Sequence, residues 1–289
     1  MNAPTPEPGA GSGPSDLPAR IVSAIALVLI AAYVTWAGGS VFAVAMMILS
    51  GLVFYEWTRI TFLPTHARSV WISAALLLAG IVTLATASMF AAWTLVLAGA
   101  GALLALAASR LMPKLRWARA KWAAGGLVYA FACGTALITI RGDGTTPDTL
   151  ADLAADPGLV LLSYLFLTVW ATDICAYFVG RAVGGPKLMP KVSPKKTISG
   201  ALGGLAGAFL VGLVFVALVD EYLWQIVFPL SLFLSAVSQA GDLFESWVKR
   251  RYDKKDSSRL IPGHGGFMDR IDGLVFAAVP LALFVGFAS

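Results

Sequence analysis

Ile198–Val219 reads ISGALGGLAGAFLVGLVFVALV. No residue in it carries a charge. About 20 consecutive apolar residues are enough for a helix to cross the hydrocarbon of a bilayer. Lipid offers no partners to backbone N–H and C=O groups, so the segment must satisfy them itself, as a helix does. Working outward, the same pattern recurs along the chain. Nine candidate spans follow: Ile21–Ala37, Ser40–Ile60, Val70–Ala87, Phe90–Ala108, Trp122–Ile140, Leu159–Val179, Ile198–Val219, Tyr222–Gln239 and Ile271–Ala288. The break between the third and fourth is weak, at Ser88 and Met89.

Composition agrees. The 289 residues are 58% hydrophobic and 13% charged, with mean hydropathy +0.80. Soluble domains carry about 25% charged residues. The expectation is an all-α polytopic membrane protein. A Pro-, Gly- and Ser-rich tail over 1–17 cannot bury a core and is expected to be disordered. Five helices fill 18–140, an outer, periplasmic loop covers 141–158, and four helices with their loops fill 159–289. Cys133 and Cys175 both lie in apolar runs and read as small hydrophobes.

Charge fixes the orientation. With the N-terminus in the cytoplasm and nine spans, 20 of the 21 Lys and Arg residues fall inside, and Arg141 is the exception. The outer loops hold Asp143, Asp148, Asp152, Asp156, Asp220 and Glu221 instead. The net charge of +5 therefore reports topology and anionic headgroups, not nucleic acid.

Two cytoplasmic loops are both cationic and glycine-rich. GRAVGGPKLMPKVSPKKTISG joins the sixth and seventh spans, and KRRYDKKDSSRLIPGHGGFMDRIDG joins the eighth and ninth. Together they suggest a phosphorylated ligand. Ser193, Lys195, Lys196 and Thr197 precede a helix N-terminus, a natural phosphate site. Asp242, Glu245, Ser246 and Lys249 form one helical stripe, and Asp269 and Asp272 open the last span on the same membrane face. Carboxylates beside a phosphate site are how Mg²⁺ is held, so Asp242 and Asp269 are the expected metal pair. Gly263, Gly265 and Gly266 let backbone N–H groups approach a phosphate. His264 reads as a positioning residue, because an ionised phosphate nucleophile needs no base. Asp173 is an intramembrane carboxylate and a functional candidate by default. Glu56 reads as structural, neutralised by Arg59 three residues on.

The run Ser246–Arg250, then Lys255–Asp256, Leu260–Gly266 and Asp269–Asp272, resembles the signature of phosphatidate cytidylyltransferases. DICAYFVGR, SPKKT and QAGDLFES extend the likeness over Trp170 to the C-terminus. The resemblance implies that CTP and phosphatidate give CDP-diacylglycerol and pyrophosphate, with Mg²⁺ and a second cation such as K⁺. It implies catalytic roles for Asp242, Asp269 and Asp173, and phosphate contacts from Lys195, Lys196, Lys249, Arg250 and Arg270. It also implies a homodimer, a polar cavity open to the cytoplasm and a bacterial inner-membrane location. A transporter is the rival reading, but the charges crowd one face and no internal repeat is evident. A CDP-alcohol phosphotransferase would carry D-G-x-x-A-R, which the chain lacks.

Overall fold

The computed structural model describes residues 17–61, 63, 68–86, 96–102, 104, 117–142, 155–219, 223–261 and 265–288. Residues 1–16 of the expected disordered tail, the acidic loop residues Asp143, Asp148, Asp152, Asp220 and Glu221, and His264 all lie outside them, while Leu17, expected to end the tail, opens a helix. The helices are α1 (Leu17–Ala37), α2 (Gly39–Ile60), α3 (Arg68–Thr86), α4 (Trp117–Arg141), α5 (Pro157–Val183), α6 (Ile198–Leu218), α7 (Trp224–Arg251) and α8 (Met268–Ala288). Residues 96–102 are also helical, within the expected fourth span. Among the described residues, α2, α4, α5, α6 and α7 are long and apolar enough to cross a membrane, and Ile21–Ala37 and Val70–Val82 are shorter apolar helical stretches.

One addition departs from the all-α expectation. A small antiparallel ribbon, β1 (Lys187–Met189) with β2 (Ser193–Thr197), sits between α5 and α6. The Val192 N–H donates to Met189 O at 3.1 Å and closes its turn. Pro194 has no N–H to donate, which an edge strand tolerates.

α4 is the central helix. Some 72% of its apolar window is buried in the protein, against 28–39% for the other long spans. Its two halves serve two cores. Leu127 and Phe131 pack with Trp57, Val248, Met268 and Val275. Leu137 and Ile140 pack with Leu162, Leu165, Leu234 and Leu281. α5 and α6 lie in close contact because small residues line the seam. A Cβ on Gly207 would come within 2.7 Å of Ala171 O and Cys175 Sγ, so only glycine permits that approach. Cys133 is buried and Cys175 half-buried, both as free thiols.

The single basic residue expected outside has a structural task. Arg141 is fully buried; its Nε donates to Thr35 O at 2.8 Å and Nη1 pairs with Asp156 Oδ2 at 2.9 Å. Asp156 also caps α5, accepting from Leu159 N through Oδ1 at 3.0 Å. One ion pair thereby ties the ends of α1, α4 and α5 together.

Candidate active site

α7 is longer than its expected span. It runs past Gln239 to Arg251 without a break, so Asp242, Glu245 and Lys249 stand on continuous helix. It ends where Asp253 turns left-handed (φ 53°) and Lys254 N donates to Lys249 O at 2.9 Å. The stripe read from the sequence is therefore real, and the structure sorts it into two places.

The first is a cavity of about 610 Å³ between α5, α6, α7 and the ribbon. Asp173, Ala176, Tyr177 and Gly180 contribute one wall, in keeping with their shared helical face. Lys187, Lys195, Lys196, Thr197, Gln239 and Asp242 supply the rest. Asp173 is thus exposed to a polar cavity rather than sealed in apolar surroundings. Lys196 Nζ pairs with Asp242 Oδ2, while Asp242 Oδ1 has only a long contact from Ser246 Oγ at 3.4 Å. Thr197 does not offer its hydroxyl freely. As N-cap of α6 its Oγ1 accepts from Gly200 N at 3.0 Å, since the helix start needs acceptors. Ser193, at the far end of β2, is not among the residues lining the cavity. Arg250 reaches the ribbon's turn, with Nε 3.4 Å from Val192 O. Arg270 stands in the first turn of α8, next to Asp269, and is exposed.

The second place is a buried carboxylate cluster behind the first. Lys249 Nζ lies 2.7 Å from Asp269 Oδ1 and 3.0 Å from Glu245 Oε1. An ammonium expected to meet phosphate instead faces inward, because two carboxylates at that depth need a cation. Asp269 also accepts from Ser257 N (3.0 Å), Ser257 Oγ (2.9 Å) and Gly266 N (2.9 Å), all through Oδ2. Burial alone would raise its pKa. The Lys249 charge and hydrogen bond, then the Gly266 N–H, overcome that and hold Asp269 below the usual carboxylate range.

The glycine loop is corrected in the same way. Gly266 N–H, expected to face a phosphate, faces Asp269. A Cβ on Gly266 would overlap the Ser257 hydroxyl, and Gly265 adopts φ 85°. These glycines let the chain fold tightly around its own acid.

Glu56 is held within the fold, in keeping with its structural reading, but the partner expected for it is wrong. It is fully buried, and Arg59 does not neutralise it; Arg59 donates to Tyr55 Oη at 2.9 Å instead. Glu56 Oε1 accepts from Ser258 Oγ (2.5 Å) and Phe267 N (3.0 Å), and Oε2 from Met268 N (2.7 Å) and Ser257 Oγ (3.2 Å). The N-terminus of α8 is thus occupied by an internal anion. Its partners lie some 200 positions away, so no local pattern could reveal them.

The donor set suits a hard cation. Mg²⁺ takes one or two carboxylates together with phosphate oxygens. Asp242 opens on the cavity beside Asp173, and Glu245 Oε2 is buried with no hydrogen-bond partner. Among the described residues no three His, Cys, Asp or Glu side chains close into a cage, so substrate oxygens would complete the coordination.

An apolar bundle carrying a cavity of lysines and carboxylates is suited to handling phosphates at a membrane surface. The sequence pattern of the cytidylyltransferase family matches residues 18–288, and the chain belongs to that family. It is therefore a membrane-bound nucleotidyltransferase. It is 41% identical over 276 residues to a phosphatidate cytidylyltransferase of Brucella suis, covering 93% of each chain. A phosphatidate cytidylyltransferase of Haemophilus influenzae is 50% identical over 128 residues, 43% of this chain and 44% of its own. One from Bacillus subtilis is 42% identical over 122 residues, 41% of this chain and 45% of its own.

Proposed function

We propose that this chain transfers CMP from CTP to phosphatidate, giving CDP-diacylglycerol and pyrophosphate for phospholipid synthesis. The observation that carries the reading is the 41% identity to a phosphatidate cytidylyltransferase over 93% of both chains. A phosphatidate oxygen attacks the α-phosphorus of CTP, and pyrophosphate leaves with the bonding electrons. The nucleophile is already ionised near neutral pH, so no general base is needed.

The residues divide the work by charge. Lys195 and Lys196 on β2 neutralise two anionic substrates that would otherwise repel. Asp242 holds Lys196 and, with Asp269, is a proposed Mg²⁺ ligand, while Asp173 supports them from the cavity wall or serves as a further ligand; Asp242 fits as it stands, and Asp269 fits once Lys249 leaves Oδ1. Mg²⁺ bound there would polarise the phosphates and take up charge on the leaving pyrophosphate. A released Lys249 would then be free for phosphate. We assign Arg270 to phosphate as well, and His264 with Gly265 to the nucleotide.

An apolar cavity of about 600 Å³, walled by Trp57, Ala124, Gly125, Val128, Tyr129 and Phe276, has Lys121 among its lining residues. We assign it to an acyl chain of phosphatidate arriving sideways from the leaflet, with Lys121 near the headgroup. Nine spans, a cytoplasmic N-terminus and active site, a bacterial inner-membrane location, a homodimer and a second cation such as K⁺ complete the proposal. Its test is purified protein with radiolabelled CTP, phosphatidate and Mg²⁺. Lipid-linked CMP is expected, and its absence with folded protein refutes the reading.

A further inference from the structure

Glu56 lies in the N-terminal half of the chain, far in sequence from the charged loops. Its carboxylate nevertheless takes hydrogen bonds from both ends of one segment. Ser257 and Ser258 donate from the upstream end, and Phe267 and Met268 from the downstream end. A carboxylate has about four acceptor sites, and all four have a donor here. The same segment supplies Asp269 with its backbone and hydroxyl donors, from Ser257 and Gly266. Ser257 Oγ touches both acids, at 3.2 Å from Glu56 Oε2 and 2.9 Å from Asp269 Oδ2.

We infer that Glu56 is a positioning residue for the transfer reaction: it staples both ends of the 257–268 segment to α2 and so fixes the direction of Asp269. The inference rests on the reaction proposed above. A neutral amide of the same shape cannot do this work. Glu56→Gln places an NH₂ group against Phe267 N–H or Met268 N–H, and a backbone N–H cannot turn into an acceptor. One end of the staple opens, and Asp269 loses its fixed donors while Lys249 stays beside it. The other interactions of α2 with the core, such as Trp57 Nε1 to Trp122 O at 2.8 Å, are untouched.

The experiment compares purified parent, Glu56→Gln and Ser258→Ala. It measures kcat, KM for CTP and phosphatidate, the Mg²⁺ concentration giving half-maximal rate, and the thermal midpoint. Amide exchange over 256–269 is followed against the ribbon as internal control. Misplacing a reacting group by an ångström can cost on the order of 100-fold in rate. Glu56→Gln is therefore expected to lower kcat at least about tenfold, with both KM values within about threefold. The Mg²⁺ requirement should rise, and exchange should accelerate over 256–269 but not in the ribbon. Ser258→Ala removes one donor of four and should give the same pattern, weaker, in protein that folds normally. Parental kcat and Mg²⁺ requirement in Glu56→Gln overturn the inference. So does a loss that tracks the folded fraction alone. If Glu56→Gln fails to fold, Ser258→Ala decides by the same criteria. Should the parent itself transfer no CMP, the functional reading falls, and unchanged loop exchange in Glu56→Gln would separately remove the staple.

Discussion

Asp242 and Asp269 look alike in the sequence and differ in the fold. Asp242 opens on the cavity with one lysine partner, whereas Asp269 is enclosed by four donor groups from Lys249, Ser257 and Gly266. Asp242→Asn should therefore lower CMP transfer by a factor on the order of 100–1000, the scale for lost electrostatic stabilisation, with an unchanged thermal midpoint. Asp269→Asn should abolish turnover and also lower the midpoint, because Lys249 then shares one acid instead of two. Comparing the two midpoints with activity separates the roles. The lowered pKa of Asp269 gives the pH dependence its sign. A depressed carboxylate stabilises the fold above its unfolded pKa, about 3.9, and this is lost as pH falls through the lower folded value. The midpoint gap between parent and Asp269→Asn should stay constant from pH 8 to about 4 and close below that.

At the scale of elements, three junctions build the site: the α5–α6 seam, the ribbon, and the extended α7. Gly207 sits within 2.7 Å, by its missing Cβ, of the α5 backbone. Gly207→Leu should separate α5 from α6, cost about 1–3 kcal/mol as overpacking does, and depress CTP binding as the cavity wall shifts. Nucleotide binding by calorimetry checks this, and parental affinity would exclude the seam from shaping the cavity. Gly125 faces the apolar cavity with only Trp57 within 4 Å of an added Cβ, at 3.6 Å. Gly125→Leu should leave the fold intact and raise KM for long-chain phosphatidate more than for short-chain substrate. Equal change for both lengths would move the acyl chain elsewhere.

The whole molecule is a bundle around α4 with its charged cavity at one end. The positive-inside pattern predicts that the end carrying this cavity faces the cytoplasm. Single cysteines at Lys254 and Asp148, in a Cys133→Ser and Cys175→Ser background, should react with impermeant reagent from opposite sides of the membrane. Labelling from one side would overturn the nine-span topology. The long apolar helices and the cationic loops were legible because hydropathy and helical spacing are local properties. Ile198–Val219 had to be a membrane helix wherever it packed. The shared faces of Asp173 with Tyr177, and of Asp242 with Glu245 and Lys249, followed from 3.6 residues per turn. What each charged group pairs with did not follow. Lys249 turns inward to Asp269, Thr197 caps α6, and Glu56 holds a loop two hundred residues on. Those choices depend on which buried acceptors meet which donors after the helices pack, and burial makes every unpaired charge costly. The sequence by itself determined the membrane, the helices and the stock of charges. Only the tertiary structure decided which charges face a ligand and which hold the protein together.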